Sequence, residues 1–364
     1  MKVAYLLGTL NPGGAEKLAL SVMSNAKNHE LDLICIYRHP GKLFKDFCDT
    51  GVKMFRLTPK GKWDLLAILR LRRLLRKESV GAIHVHQVGD AQFAIIATLF
   101  SKIKVVYTLH GISYNKHGLI NGIMFGLKHS SENIFVSECQ KRFYITDYQL
   151  DDGIVAKSIV LYNGIDFSPF RKRFVSDAKN DEKLIMGSVG SFVSGRNQMF
   201  ICEFLEKLDS SGIDFDFSFI GGKSASESFL YDRCVDYCER NGLAEKVHFL
   251  GTRNDVPSLL EKMDAFIYAS VDDTFGIAVV EAIASGVPVF VNDWDVMNEI
   301  TEGGKLATIY RTKDVDDLFS HFMDFLNNRD RYIADSQDNA FSVRKMYGID
   351  THIEALKDIY NKII

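Results

Sequence analysis

Short runs of apolar and β-branched residues alternate, along the first half of the chain, with longer segments that have helical apolar spacing. The short runs predict strands over residues 2–8, 31–36, 82–86, 103–109 and 132–136. The longer segments predict helices over residues 14–28, 63–77 and 89–100. Because strands that alternate with helices are typical of a parallel sheet, the first half is predicted to be a doubly wound α/β domain.

The same alternation restarts in the second half of the chain and predicts a second sheet. Its strands are predicted over residues 183–187, 215–220, 247–250, 265–269 and 287–291. Between the two halves, the turn dipeptide Asn163-Gly164 leads into a charged stretch that contains Pro169, a pattern typical of a linker.

A chain of 364 residues exceeds the size at which one hydrophobic core stops growing. We predict an N-terminal, acceptor-side domain over 1–168, a C-terminal, donor-binding domain over 169–342, and a C-terminal helix over 343–364 that packs back on the N-terminal domain. The predicted fold class is α/β, with two doubly wound Rossmann-like domains facing across a cleft. Ligands are expected at that cleft, because open α/β sheets bind them at the carboxyl ends of their strands.

Composition describes an ordinary globular protein, with 46% hydrophobic and 25% charged residues. The six cysteines show no C-x-x-C spacing and are interpreted as reduced thiols. No export signal is visible, and the longest apolar run, about 94–100, is far shorter than the roughly 20 residues that span a bilayer. We therefore expect a cytoplasmic protein without membrane-spanning segments.

Charge is distributed unevenly along the chain. Residues 1–168 contain 22 Lys and Arg against 14 Asp and Glu, whereas residues 169–364 contain 22 against 33. Much of the positive charge lies in residues 60–77, which predict a basic amphipathic helix. Two interpretations stay open: peripheral contact with anionic lipid at the inner face of the membrane, or an ordinary surface helix of the domain.

Two common nucleotide motifs are absent. A dinucleotide fingerprint G-x-G-x-x-G would need glycines soon after Gly8, but the next pair is Gly13-Gly14. The sequence Gly222-Lys223-Ser224 resembles the end of a P-loop, but Phe217 stands where that motif needs its first glycine. Nicotinamide chemistry and P-loop ATP hydrolysis are therefore not expected.

No metal site is predicted. The pairs Asp214-Phe215-Asp216 and Asp293-Trp294-Asp295 have D-x-D spacing but are interpreted as solvated carboxylates at strand ends. His84 and His86 share one face of a strand, yet no third ligand stands nearby in the sequence. Nucleic-acid binding is also not expected, because it would need a basic stripe with interleaved aromatic residues and the acidic second half supplies none.

The segment over residues 247–288 is the most informative part of the sequence. A strand that ends near Ser270 is followed by a loop with carboxylates and then by a helix that starts near Phe275, Gly276 and Ile277. The free N–H groups and the dipole of such a helix suit a diphosphate. Glu281 lies inside this helix in an otherwise apolar run and therefore needs polar partners, which ribose hydroxyls would supply.

This ordered set of motifs resembles the family-4 retaining glycosyltransferases of the two-Rossmann-domain, GT-B type. The resemblance implies that Glu281 binds ribose and that Asp273 contacts sugar hydroxyls, although the family usually has Glu at the latter position. It also implies that Arg196 neutralises the donor diphosphate. Ser191 stands where the family has a second cation. A helix-start carboxylate without a ligand is the alternative interpretation of Asp273.

The resemblance extends to the N-terminal domain. Gly13-Gly14-Ala15-Glu16 matches the family's G-G-A-E loop, in which the backbone can approach phosphate or sugar closely. His110, directly after a predicted strand, matches the active-site histidine that contacts the donor sugar.

Two further positions match the family less closely. Ser137 and Asn163 also stand at family positions, and Asn163 is predicted to bind the donor. Arg253, beside Thr252, is a predicted neighbour of the nucleotide base.

The implied function is retaining transfer of a sugar from a nucleotide-sugar donor, with a UDP-sugar favoured over GDP-mannose. The implied acceptor is a glycan or a lipid-linked molecule in cell-surface polysaccharide assembly. Catalysis in this family is metal-independent, needs no cofactor, and proceeds by front-face attack, in which the departing diphosphate helps to deprotonate the acceptor. Two alternatives stay open: a non-catalytic protein that binds a nucleotide sugar or a partner glycosyltransferase, and a sugar-nucleotide epimerase.

Overall fold

The computed structural model describes residues 2–61, 64–111, 117–170 and 183–363. The chain divides into two compact units. Unit 1 comprises Met1–Asp166 together with Tyr347–Ile364, and unit 2 comprises Phe167–Met346. The division falls close to the predicted boundary at residue 168.

The strands and helices of the described residues alternate along most of the chain. The strands are β1 (Lys2–Thr9), β2 (Asp32–His39), β3 (Lys53–Arg56), β4 (Val80–Val85), β5 (Lys104–Leu109), β6 (Glu132–Phe135), β7 (Ser158–Val160), β8 (Leu184–Val189), β9 (Phe215–Ile220), β10 (Val247–Gly251), β11 (Ala265–Tyr268), β12 (Val289–Asn292) and β13 (Thr308–Tyr310). The helices are α1 (Gly14–Asn25), α2 (Phe44–Asp49), α3 (Leu65–Lys77), α4 (Val88–Thr98), α5 (His117–His129), α6 (Glu138–Asp147), α7 (Asp152–Val155), α8 (Gln198–Ser210), α9 (Ser228–Arg240), α10 (Val256–Leu260), α11 (Ile277–Ala284), α12 (Asp295–Ile300), α13 (Val315–Asn327), α14 (Arg329–Met346) and α15 (Ile349–Ile363).

Unit 1 contains a parallel sheet of seven strands in the order β3-β2-β1-β4-β5-β6-β7. Its central strand β1 is buried on both faces, because successive side chains of a strand point to opposite sides. Tyr5 joins a core cluster with α1 and α15, whereas Ala4 and Leu6 join a second cluster with α3, α4 and α5. The sheet therefore separates two layers of helices, as the alternating sequence pattern predicts.

The last helix belongs to unit 1. Ile353, Leu356 and Tyr360 of α15 are almost completely buried in the cluster that includes α1 and the β1 side chains. This helix begins at Ile349 rather than at the predicted residue 343, because residues 343–346 complete α14 of unit 2.

Unit 2 contains a parallel sheet of six strands in the order β10-β9-β8-β11-β12-β13. This is the order of the first six strands of unit 1, so the two units repeat one doubly wound architecture. Helices α8, α9 and α13 cover one face of the sheet in a phenylalanine-rich core, and α11 packs against α14.

Candidate active site

In unit 2, the strand order reverses between β8 and β11, and the loops that follow these two strands lie side by side. The amide of Val271 donates to the carbonyl oxygen of Gly195 at 3.0 Å, and the amide of Asn197 donates to that of Ala269 at 3.1 Å. The carboxyl ends of strands at such a reversal form the usual ligand crevice of a doubly wound sheet. Arg196 and Asp273 lie on these two loops.

Arg196 and Asp273 contact each other directly. The Arg196 Nη1 atom donates to Asp273 Oδ2 at 2.6 Å, and the Tyr268 hydroxyl donates to the same oxygen at 2.6 Å. The guanidinium carbon of Arg196 lies 4.9 Å from the centre of the Tyr268 ring. Burial raises the pKa of Asp273, and the nearby Arg196 charge opposes that rise. The two residues predicted to bind diphosphate and sugar therefore form one cluster with Tyr268, in which Asp273 and Tyr268 are buried and Arg196 is partly exposed.

Besides Tyr268, one more side chain that the sequence did not single out belongs to this site. It is Asn292, which orients the loop after β11. Asn292, at the end of β12, accepts a hydrogen bond from the Ser270 amide at 2.9 Å and donates to the Ser270 carbonyl oxygen at 2.8 Å. A polar residue that ends an apolar strand is the signal that could have identified it. Tyr268 has no such signal in the sequence, because an aromatic residue in a buried strand is typical of an ordinary hydrophobic core.

Helix α11 begins beside the Arg196–Asp273 pair. Its N-cap residue is Gly276, at φ +80° and ψ +53°, and no side chain of the described residues caps the helix. A Cβ atom at this position would lie 2.9 Å from the Met297 Cε atom, so glycine fits both the backbone conformation and the space. Phe275 is buried, and the first turn, from Ile277 onward, contains no acidic residue. Such a helix start can accept an anion.

The other predicted donor residues of unit 2 lie at different distances from this pair. Glu281 is half-buried and stands one turn into α11. Ser191 is exposed, and its carbonyl oxygen accepts a hydrogen bond from Gln198 at 3.0 Å. Arg253 follows β10, two strands away from β8, and its exposed guanidinium makes two bonds to Asp255, at 2.8 and 2.6 Å.

Unit 1 has a corresponding strand reversal between β1 and β4. Gly13 and Gly14 stand at the start of α1, after β1. The buried Glu16 carboxylate folds back over Gly13, where a Cβ atom would lie only 2.4 Å from Glu16 Oε2. Gln87, after β4, donates to Glu16 Oε1 at 3.0 Å. Glu16 therefore ties together the two loops of this crevice.

His110 follows β5 and lines a cavity of about 410 Å³ in unit 1. Its Nε2 atom lies 2.9 Å from the Nδ1 atom of His86, another residue of the cavity wall. Burial lowers the pKa of His110 to about 4. The wall also includes apolar side chains of α4 and α5, among them Val88 and Ile123.

Two loosely matched positions of unit 1 are held by local structure. Ser137 caps α6, with its hydroxyl oxygen accepting from the Gln140 amide at 3.0 Å. Asn163 is buried, and its side-chain oxygen makes no hydrogen bond within the described part of the chain. The adjacent Gly164 approaches His352 so closely that a Cβ atom would lie 2.5 Å from the His352 Cβ.

The described ranges contain no group of three or more His, Cys, Asp or Glu residues able to hold a metal ion. Within the same ranges, no helix combines the length and the hydrophobicity that crossing a bilayer requires.

The sequence of this chain matches two protein-family models and several glycosyltransferase relatives. The model of Glycosyltransferase Family 4 matches residues 12–168, and the model of Glycosyl transferases group 1 matches residues 170–340. A UDP-Gal:alpha-D-GlcNAc-diphosphoundecaprenol alpha-1,3-galactosyltransferase of Escherichia coli is 21% identical over 99% of this chain and 96% of its own length. The O-antigen biosynthesis glycosyltransferase WclY of Escherichia coli is 20% identical over 82% of each chain.

A similar solved structure is that of Anabaena HepE in complex with UDP and glucose. It has a TM-score of 0.85 at 17% identity and matches the full length of both chains. At this identity the likeness shows the fold, which is the GT-B fold of two doubly wound units. Because the two family models together match nearly the whole chain, in the order that the motifs predict, the chain belongs to the family-4, group 1 glycosyltransferases.

Proposed function

We propose that this protein transfers a sugar from a UDP-sugar to a glycan or lipid-linked acceptor in cell-surface polysaccharide assembly, with retention of the anomeric configuration. The observation that carries this proposal is the juxtaposition of Arg196, Asp273 and the uncapped start of α11 at the strand reversal of unit 2. A guanidinium and free helix amides at one point form a site for a diphosphate, the leaving group of the reaction.

The chemistry follows from the charge that develops as the diphosphate leaves. Arg196 and the amides of α11 stabilise that charge, Glu281 binds the ribose hydroxyls, and His110 and Asp273 orient the sugar. No described side chain is assigned as a nucleophile. The departing diphosphate takes the proton of the acceptor hydroxyl, which then attacks the sugar from the same face. The protein supplies positioning and electrostatic stabilisation.

The choice of donor and acceptor rests on the relatives. The names of the galactosyltransferase and of the HepE complex both contain UDP, which supports a uridine nucleotide. The name of the galactosyltransferase also gives a sugar linked to diphosphoundecaprenol as its acceptor, which supports a lipid-linked acceptor here.

Calorimetric titration with UDP and GDP tests the donor site. We expect UDP to bind in the micromolar range and Arg196→Ala to weaken that binding at least tenfold, because the variant removes a charge-assisted contact. Arg240→Ala is the matched control, since Arg240 is exposed at the end of α9, where it contacts Asp236 by a 3.1 Å hydrogen bond to the carbonyl oxygen and a 3.9 Å ion pair. Equal UDP affinity in the wild type and Arg196→Ala would refute the assigned site.

Turnover separates the catalytic proposal from the non-catalytic alternative. The enzyme should consume a UDP-sugar in the presence of a lipid-linked glycan acceptor, and NMR of the product should show the anomeric configuration of the donor. Tight UDP binding without any transfer would favour the non-catalytic alternative, and an inverted product would contradict retention.

Peripheral membrane contact through residues 60–77 is a further part of the proposal. Lys62 and Trp63 lie outside the described residues. On α3, Leu65, Leu66 and Leu69 are 71%, 65% and 48% exposed, although Ile68 and Leu71 already pack the helix onto unit 1. Exposed leucines beside a row of exposed arginines suit an anionic lipid surface.

Co-sedimentation with vesicles tests this contact. Wild-type protein should bind vesicles that contain phosphatidylglycerol better than neutral vesicles, and the triple change of Leu65, Leu66 and Leu69 to Gln should reduce that binding. Phe341→Gln, which changes an exposed residue of α14, is the control. Binding that ignores both anionic lipid and the triple change would refute the contact.

A further inference from the structure

Three histidines lie in a row at the carboxyl ends of β4 and β5. The rings of His84 and His86 stack with their centres 4.5 Å apart and an interplanar angle of 27°. The Nδ1 atom of His86 then meets the Nε2 atom of His110 at 2.9 Å. His86 therefore connects the candidate sugar-contacting histidine to the interior of unit 1.

The stack is anchored at its inner end. Both ring nitrogens of His84 are engaged, Nδ1 with the Tyr360 hydroxyl at 2.6 Å and Nε2 with the Thr108 hydroxyl at 2.7 Å. The Tyr5 ring lies 5.5 Å from the His86 ring. Packed between these fixed rings, His86 cannot rotate away from His110 without disturbing the core.

The imidazoles of His86 and His110 are both neutral at physiological pH. Burial lowers the pKa of His110 to about 4 and that of His86 well below its usual range. A neutral imidazole has one N–H donor and one acceptor nitrogen. In the 2.9 Å contact, one ring must therefore donate and the other must accept.

The surroundings of the second ring nitrogen of His86, Nε2, decide which ring donates the hydrogen bond between His86 and His110. Its Nε2 atom is buried and has no hydrogen-bond partner in the described part of the chain. A proton on Nε2 would be a buried orphan N–H group, which folded proteins avoid more strictly than an unfilled acceptor. The proton of His86 therefore belongs on Nδ1, from which it is donated to Nε2 of His110. His110 must then carry its own proton on Nδ1.

We propose that His86 is a positioning residue that fixes His110 in its Nδ1–H tautomer. In this form His110 donates a hydrogen bond, so the sugar or phosphate oxygen that it contacts must be an acceptor. This last step rests on the proposed function, whereas the tautomer itself does not.

Nitrogen NMR of ¹⁵N-histidine-labelled protein tests the tautomer without any need for activity. The ring signals of His110, identified by their loss in His110→Gln, should show a protonated Nδ1 and an unprotonated Nε2. In His86→Phe, which keeps an aromatic ring in the stack but removes the donor, we expect the His110 signals to shift toward a mixture of tautomers. A protonated Nε2 on His110 in the wild type would overturn the proposal.

Kinetics test the positioning role. We expect His86→Phe to lower kcat about tenfold, the effect of one lost hydrogen bond, with little change in KM for the donor. His86→Asn, whose side-chain amide can occupy the place of Nδ1 as a donor, should retain activity to within about threefold of the wild type. His248→Asn, a change of an exposed histidine, is the control.

A purely structural role predicts a different pattern. His86→Phe would then lose activity only in proportion to its loss of thermal stability, and His86→Asn would be no more active than His86→Phe. This pattern would overturn the proposal. If the wild type shows no transfer, the proposed function fails, but the NMR result still decides the tautomer.

Discussion

At the scale of single residues, the candidate donor site is held by contacts among its own members. Asp273 Oδ2 receives hydrogen bonds from both Arg196 and Tyr268, while the Tyr268 ring also lies beneath the Arg196 guanidinium. Each of these three residues therefore orients the other two. Substitution of any one of the three residues should therefore change the orientation of the other two side chains, besides removing its own contact.

Tyr268→Phe removes only the hydroxyl that donates to Asp273. Because the ring stays beneath Arg196, we expect UDP affinity to change by less than about threefold while the free energy of unfolding falls by about 1–3 kcal/mol. The measurements are calorimetry with UDP and urea denaturation. Tyr332→Phe removes a similar hydroxyl bond, to Asp324 on the surface, and should cost little. Equal stability losses in the two variants would contradict the importance of the buried bond.

Gly276→Ala tests the start of α11. Ala is strained at φ +80°, and its Cβ atom would crowd Met297, so we expect a stability loss of about 1–2 kcal/mol together with weaker UDP binding. Gly212→Ala is a matched control, because Gly212 has φ +78° but a Cβ atom there would have no atom of the described chain within 4 Å. Both variants should lose stability, yet only Gly276→Ala should lose nucleotide affinity. Unchanged UDP binding in Gly276→Ala would argue against phosphates at this helix.

Sequence reasoning could predict some of these residues and not others. Glu281 stands out because a carboxylate in an otherwise apolar helix needs polar partners, whereas Arg196 and Asp273 are implied by the family resemblance. Tyr268 and His86 could not be identified, because an aromatic or imidazole ring in a strand is compatible with an ordinary core. Their roles depend on which atom faces which neighbour, and sequence spacing does not contain that information.

At the scale of elements, the alternation of strands and helices was predictable, while three of the four strands at the sheet edges were not. Every strand predicted from the sequence is confirmed to within a few residues. Three edge strands, β3, β7 and β13, have only four, three and three residues and are partly exposed, so they lack a run of apolar residues. The fourth edge strand, β10, has five residues and was predicted. Edge strands are often short, which removes the signal on which prediction depends.

Helix α15 contributes fully buried side chains to one of the two core clusters of unit 1. We expect Ile353→Ala, or Leu356→Ala, to lower the free energy of unfolding by about 2–5 kcal/mol, because both side chains are fully buried. Hydrogen exchange should show the loss of protection in β1, β2 and α1. Asp358→Ala, on the exposed face of the same helix, should leave protection unchanged. Intact protection in Ile353→Ala would mean that α15 contributes little to this core.

At the scale of the whole molecule, buried neutral histidines link stability to pH. Burial lowers the pKa values of His110 and His352 to about 4, from 6.5 for an unperturbed histidine. Since the unfolded chain binds these protons more tightly, the stabilisation is present above about pH 6.5 and is lost as pH falls toward 4. His29 works in the opposite sense, because its carboxylate partners Glu354 and Asp350 raise its pKa.

Urea denaturation between about pH 4 and pH 6.5 measures how the free energy of unfolding depends on pH. We expect the free energy of unfolding to fall by up to about 1.4 kcal/mol per pH unit for each buried histidine that gains a proton on unfolding. His352→Gln should make the dependence shallower by up to that amount, although it also loses the bond to the Tyr162 carbonyl oxygen. Identical slopes in the wild type and His352→Gln would contradict the assignment of a buried neutral His352.

Unit 1 is discontinuous in sequence, and this affects how the protein is made. Residues 167–346 are synthesised between the first 166 residues of unit 1 and the helix that completes its core. Domains generally fold as they leave the ribosome, at about 5–20 residues per second. The β1 side chains that α15 covers must therefore wait, during synthesis, until all of unit 2 has emerged. On a nascent chain, the second unit can finish folding before the first.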